Sequence, residues 1–337
     1  MNVYRMYKKM RTKYNFQTAT LSLLIGVALF TGCQSDDFDD NGTDTGSKTS
    51  YSYRITADVN ASGELGSTRA LSIEDGKIKS AWLDKDKLMA YCLSDNNQST
   101  ETTYSLLTSL SSGKYSGFEG ELKTANKPLQ ISDEICFFYP GGPIGSKDGT
   151  IVPVVRKENT DGSISYEKQN TIKNLIKVDL TQQDGSIKNI GNKFDYQWAK
   201  VKPVSVNGQD VKIKVGYLKR QIAIWGVKFV DQNGKRMSNI NEIRIYKAKS
   251  QGVFDLNKGE FVTDNPTDTK DKIQIPPERI DINGDSDGYF YIALLPGQFS
   301  GMSMKIYTEA DKYTVIKFNK VMTFEADKVY HTTFTVK

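Results

Sequence analysis

Few residues in this chain have the types and spacing that catalysis needs. Its one histidine, His331, falls among the last seven residues. No histidine cluster can therefore bind zinc, and a Ser-His-Asp or Cys-His arrangement would hang on that single ring. Carboxylate-only hydrolysis needs two acidic groups converging in a cleft, and no spacing points to such a pair. Asp281, Asn283, Asp285 and Asp287 alternate as calcium ligands do, yet Ser286 stands where a calcium loop needs glycine and Ile292 where it needs a bidentate glutamate. That run reads as a solvated turn. Trp82, Trp198 and Trp225 could stack on sugars, but each lies in an apolar stretch and is expected in a core. No catalytic residue, metal or cofactor is expected, and function falls to binding or assembly.

The chemistry that the chain does signal is covalent modification of Cys33. Before it come a basic start (Arg5, Lys8, Lys9, Arg11, Lys13), an apolar stretch from Leu21 to Phe30 and two small residues, Thr31 and Gly32. These are the zones of an export signal, assigned to 1–32. About ten apolar residues are too few to span a bilayer, which takes roughly 20 in a helix. Phe30-Thr31-Gly32-Cys33 resembles a lipobox, with Phe30 where leucine is usual. That resemblance implies a diacylglycerol on the Cys33 thiol and cleavage just before it. Residues 33–50, with Asp36, Asp37, Asp39 and Asp40 near their start, read as an acidic flexible tether. Acidic residues behind a lipidated cysteine also resemble a signal for the outer face of the outer membrane.

Charge excludes one class of partner. The chain has 45 basic and 40 acidic residues, but the first 33 residues hold five basic and no acidic side chains, so the remainder balances at forty of each. Nothing in a neutral mature chain suggests nucleic acid. With Cys33 modified, Cys92 and Cys136 remain, both in apolar strand-like runs; they read as buried free thiols, with a disulfide left open by their spacing.

The elements that carry these residues are strands. From Tyr51 onward, apolar and polar residues alternate with period two between frequent turn signals, the pattern of antiparallel sheet. Tyr51, Tyr53, Ile55, Ala57 and Val59 form one face of a first strand at 51–59. Further strands are expected at 87–93, 115–122, 133–139, 210–217, 221–230, 240–247, 252–256, 271–275, 288–295, 302–308, 312–318 and 328–336. The Ser/Thr-rich run at 102–112 is the best helix candidate. Asn233-Gly234 reads as a turn between the strands at 221 and 240, and Asp161-Gly162 and Asp184-Gly185 mark others. Pro203 and Gly208 precede a fresh set of alternating strands, so two β-sandwich domains are expected, 51–204 and 205–337. Each carries an apolar strand ending in Pro-Gly, "EICFFYPGG" and "YFYIALLPGQ".

Several motifs in order along the mature chain resemble the fimbrillin family of type V pilus subunits and related surface lipoproteins. They are "STRALS", "AWLDKDKLMAY" with Lys85 where the family often has glycine, "FDYQWAKV", "GVFDLNKGEF", "YFYIALLPGQ" and "FEADKVYHTTFTVK". The resemblance implies an all-β fold of two tandem transthyretin-like antiparallel sandwiches, cleavage between Arg69 and Ala70 by an arginine-specific protease, and assembly by donor-strand exchange. The partners it implies are other pilus subunits, the outer membrane through the lipid, and a host or bacterial surface receptor. Residues 60–69, with Gly63 and Gly66, make the kind of loop that proteases cut.

Strand exchange has a physical basis in the residues. Each large side chain on the first strand's buried face contributes roughly 1.5 to 3 kcal/mol at full burial, so loss of the strand is comparable with the about 5 to 15 kcal/mol stability of a domain. An apolar groove with unpaired edges would remain, open to a strand from elsewhere. The C-terminal run has the right alternation, with Tyr330, Thr332, Phe334 and Val336 on one face. Such a head-to-tail contact does not close and so grows a filament. The alternatives are a monomeric surface lipoprotein that binds glycan and an uncleaved anchor subunit.

Overall fold

The computed structural model describes residues 50–60, 71–74, 77–96, 104–141, 152–169, 174–262, 272–275 and 288–336. The expected signal segment, Cys33, the tether up to Thr49, Arg69, Ala70 and the acidic run at 281–287 lie outside them. The N-terminal part runs β1 (Tyr51–Asn60), β2 (Ser72–Glu74), β3 (Lys77–Lys79), β4 (Lys87–Cys92), the short α1 (Leu93–Asn96), β5 (Ser105–Ser109), β6 (Tyr115–Thr124) and β7 (Ile135–Pro140). The middle gives β8 (Val152–Glu158), β9 (Ile164–Lys168), β10 (Leu175–Asp179), α2 (Ile187–Lys193), β11 (Tyr196–Val201), β12 (Ser205–Asn207), β13 (Asp210–Tyr217) and β14 (Lys219–Arg220). The last part gives β15 (Ala223–Val230), β16 (Glu242–Tyr246), β17 (Gln251–Asp255), β18 (Glu260–Phe261), β19 (Lys272–Ile275), β20 (Phe290–Leu294), β21 (Gly297–Phe299), β22 (Ser303–Tyr307), β23 (Tyr313–Lys317), β24 (Met322–Phe324) and β25 (Val329–Thr335).

The fold is nearly all β, as the alternation predicts. One expectation fails: the Ser/Thr-rich helix candidate at 102–112 contains β5, whose Leu107 is fully buried. Serine and threonine are indifferent helix formers, and the pairing of β5 with β4 and β6 decides the matter.

Three cores organise the sheets. The largest sheet runs β12-β13-β1-β6-β5-β4-β7-β11-β14. One face of its strands from β13 to β11 lines a single core that includes Ile55, Leu88, Leu107, Phe118, Phe137 and Ile213. Strand β11 returns close to β13, so the sheet curls round its own apolar face. A second core joins the other face of β4 and β7 to β10, β17, α2, β15 and β20 through residues such as Tyr91, Phe138, Ile176, Ile224 and Phe254. The third lies between the sheet β20-β15-β25 and the sheet β19-β16-β22-β23, around Trp225, Phe229, Ile245 and Met304. Strands β4, β7, β15 and β20 each serve two cores, which accounts for their near-continuous apolar sequences.

The chain does not change sheets at 205. Strands β12 and β13 belong to the large sheet, with β13 beside β1. Strands β17 and β18 extend a sheet built on β10, β8 and β9. The turn at Asn233-Gly234 forms, with Gly234 at φ 77° and its N–H donating to the Asp231 carbonyl at 3.0 Å. It does not join a hairpin between the expected strands, because β15 and β16 lie in different sheets. The turn at Asp161-Gly162 does join paired strands, β8 and β9.

Cys92 and Cys136 are buried free thiols. They face opposite sides of the adjacent strands β4 and β7, one in the first core and one in the second. Burial pushes the Cys92 thiol up to about 11 and the Cys136 thiol up to about 12, so both are neutral at physiological pH. Among the described residues no helix is long and apolar enough to cross a membrane.

Candidate functional site: the first and last strands

Strand β1 lies inside the large sheet. It pairs antiparallel with β6 along its whole length, from Tyr51 opposite Thr124 to Asn60 opposite Tyr115. On its other side it pairs parallel with β13, from Arg54 opposite Asp210 to Asn60 opposite Tyr217, with a shift of register between Asp58 and Val59. The alternation read from the sequence is the alternation of burial: Tyr53, Ile55, Ala57 and Val59 are buried, while Ser52, Arg54 and Asp58 are exposed. Tyr51 packs at the rim of the same core.

Each inward side chain has defined neighbours. Tyr53 stands opposite Leu122, and its hydroxyl accepts from the Leu129 N–H at 2.8 Å. Ile55 stands between Gly120 and Val211. Ala57 stands between Phe118 and Ile213, with no surface exposed. The loop bearing Leu129 is held by a turn in which Asp133 accepts from Lys127 Nζ at 2.5 Å and from the Gln130 N–H at 2.9 Å. Burial works to raise the Asp133 carboxyl, but these donors and the Lys127 charge outweigh it and hold the carboxyl below its ordinary range.

Strand β25 occupies an edge. It pairs parallel with β15, from Val329 opposite Ile224 to Thr335 opposite Val230, and no described strand pairs with its other side. Tyr330, Phe334 and Val336 pack into the third core, and Thr332 Oγ1 accepts from Trp225 Nε1 at 3.0 Å. The Phe334 ring meets Trp225, Phe229 and Phe318 at centroid distances of 6.1, 5.9 and 5.8 Å. His331 is exposed and rests 4.7 Å from the Tyr289 ring, so it has the role of a surface side chain.

The two strands named from the sequence are therefore real elements, but they lie in different sheets and do not touch as a pair. The alternation of β1 predicts neither Phe118 nor the parallel neighbour β13 as part of the site. A third unforeseen feature sits at the root of β25. Arg220 is fully buried and grips Asp195 through both Nε and Nη2, the latter at 3.2 Å. Its Nη1 donates to Asp327 at 3.1 Å, two residues before β25 begins. Gln197 Nε2 donates to the Asp195 carboxylate at 2.7 Å. The polar cluster thus ties β11 and β14 to the start of the C-terminal strand. Alternation gives no hint of it, because Arg220 belongs to a two-residue strand at the head of an apolar run.

Both halves share one topological device. The first strand of the chain pairs parallel with β13, and β15 pairs parallel with the last strand, β25. Elsewhere among the described strands the pairings are antiparallel.

No family model matches the chain, and no curated protein matches it. Solved structures do. A candidate cell adhesion protein from Bacteroides ovatus aligns over 85% of this chain and 93% of its own, at 14% identity and a TM-score of 0.50. Another from Bacteroides uniformis aligns over 84% and 92%, at 14% identity and 0.48. A fimbrial assembly protein from Parabacteroides distasonis aligns over 86% and 93%, at 9% identity and 0.43. The first of these shows a shared fold. The adhesion and fimbrial descriptions are those of the neighbours, and at these identities the likeness speaks for the fold alone.

Proposed function

We propose that this chain is a fimbrillin-like surface subunit, exported as a lipoprotein on Cys33 and activated by cleavage between Arg69 and Ala70. The C-terminal strand of another subunit then takes the place of β1. Two tandem transthyretin-like sandwiches, each closing its first strand on its last, are the proposed architecture. The observation that carries the reading is the position of β1. It is hydrogen-bonded on both sides and contributes four buried side chains to one core. Its departure would leave two unpaired strand edges, β6 and β13, whose buried Leu122, Phe118, Val211 and Ile213 flank an apolar gap, the form of site that a β-strand fills. The shared fold with the candidate adhesion protein agrees with this role.

In this reading the lipid and β1 leave on one fragment, so release from the membrane and exposure of the groove are a single event. The test is limited digestion of the mature protein with an arginine-specific protease, followed by gel filtration and electron microscopy. Ladders or filaments are expected after the cut at Arg69. A compact, monomeric product at high concentration, indifferent to removal of its C-terminal strand, overturns the reading.

One surface favours the glycan-binding alternative. On the outer face of β16, β22 and β23, Tyr307 and Tyr313 lie 5.2 Å apart, with Lys305 Nζ 4.5 Å from the Tyr313 ring and 5.8 Å from the Tyr246 ring. Tyr313 is half exposed, whereas Tyr307 is buried with the Arg244 guanidinium 4.5 Å from its ring, so of the two Tyr313 alone offers an open face. Polysaccharide affinity in the uncut protein, abolished by Tyr313→Ala, is the outcome that favours this second reading.

A further inference from the structure

The C-terminal strand repeats part of the pattern of β1. Residues 53–59 read Tyr-Arg-Ile-Thr-Ala-Asp-Val and residues 330–336 read Tyr-His-Thr-Thr-Phe-Thr-Val. With Tyr330 set on Tyr53, Val336 falls on Val59, and the β-branched Thr332 falls on Ile55. The fourth inward position differs in kind, because Phe334 falls on Ala57. In the folded chain Ala57 is fully buried and stands in the sheet between Phe118 on β6 and Ile213 on β13, which are themselves buried. The alanine methyl fills a position with no solvent exposure, so a benzyl group in its place would have to displace buried neighbours. Interiors are packed as densely as organic crystals, and an oversized side chain displaces its neighbours.

Other registers fit worse. A slip of one residue turns the apolar set outward. Moving the strand two residues toward the start of the groove sets Thr332 at the place of Tyr53, where its short side chain leaves the buried Leu129 N–H without its acceptor. Moving it two residues the other way drives the hydroxyls of Tyr330 and Thr332 into the positions of Ile55 and Ala57, both without solvent exposure. The register that matches tyrosine to tyrosine and valine to valine remains. It buries one hydroxyl, that of Thr332 at the place of Ile55, where the alternative buries two, and its larger fault is Phe334.

We propose that Phe118 reads the occupant of this groove by size. The C-terminal strand of a second copy enters in the Tyr330-on-Tyr53 register, and Phe334 prevents it from displacing an intact β1. This rests on the strand-replacement reading and adds a specificity element to it. The precursor is protected from premature exchange by one side chain, because its own Ala57 always packs better than a neighbour's Phe334. Once β1 is gone no better competitor exists, and Phe118 yields to the incoming ring.

The test uses the mature protein cut after Arg69 and freed of the excised fragment, with labelled synthetic peptides as probes. A peptide of residues 51–60 should rebind. A peptide of residues 328–337 should bind more weakly, and its Phe334→Ala form should bind at least about tenfold more tightly than the native peptide, as relief of overpacking by one large side chain predicts. Protein carrying Phe118→Ala should narrow that difference. Because the substitutions are made in free peptides, the role of Phe334 in its own core does not enter. Equal or weaker binding of the Phe334→Ala peptide overturns the size filter while leaving strand replacement intact. Failure of the 51–60 peptide to rebind overturns both.

Discussion

Gly259 lies flat against the Trp198 ring. A Cβ added at Gly259 would stand 2.3 Å from Cζ3 of that ring, and the residue has a φ of 74°. Trp198 sits on β11, and its Nε1 donates to the Leu256 carbonyl at 2.8 Å, so the β17–β18 turn is seated on the indole by its face and by its N–H. A tryptophan that could have been a sugar platform is here the bed for a turn.

Gly259→Ala should destabilise the protein by about 2 to 4 kcal/mol, since it combines an unfavourable positive φ with a ring clash that neither backbone relieves easily. Urea denaturation followed by tryptophan fluorescence measures it. An effect below that of a surface alanine substitution would show that the turn moves freely.

Arg220→Met should cost about 3 to 5 kcal/mol, because Asp195 is left buried without its cation. The same change cuts the tie to Asp327 at the root of β25. Faster hydrogen exchange across Tyr330–Val336 than across β16 is expected in the variant. Uniform loosening would mean that the cluster holds the whole fold and has no special hold on the last strand.

Lys85 has a φ of 66° in the turn where Asp86 accepts from the Leu83 N–H at 2.9 Å. This is the position at which the fimbrillin-like motif that the sequence resembles often has glycine, and a positive φ gives a physical reason for one. Lys85→Gly should therefore stabilise the protein by about 0.5 to 1 kcal/mol, as removal of a side chain from left-handed backbone exceeds the entropy cost of glycine. A lower thermal midpoint would contradict this.

The Asp133 carboxyl is held below its ordinary range, so its unfolded value of about 3.9 lies above its folded one. Its contribution to stability is present above the unfolded value and is lost as pH falls through the folded value. Acidification from pH 5 to pH 2 should loosen the loop that hands Leu129 to Tyr53. Asp133→Asn should flatten that part of the stability profile, read as the urea midpoint against pH. An unchanged slope would remove Asp133 from the account.

Much of the fold was legible because alternation reports which face of a strand is wet. The buried set of β1 appeared directly as Tyr53, Ile55, Ala57 and Val59, and the doubly buried β4, β7, β15 and β20 appeared as apolar runs. Alternation does not say which strand lies beside which. The parallel pairing of β1 with β13 joins residues more than 150 positions apart, and it moves 205–217 into the first sheet although Pro203 and Gly208 suggest a boundary there. The same gap hid Phe118 as the counterpart of Ala57 and Arg220 as the tie to Asp327, since both relations exist only once distant segments meet.

The parallel pairing of β15 with β25 has a mechanical meaning. Tension applied through the two ends of the segment from Ala223 to Val336 would draw these neighbours in opposite directions along their shared axis, loading every rung of the ladder together in shear instead of peeling the rungs apart singly. Such a joint resists rupture by geometry, with no added bond, for as long as β25 stays paired with β15.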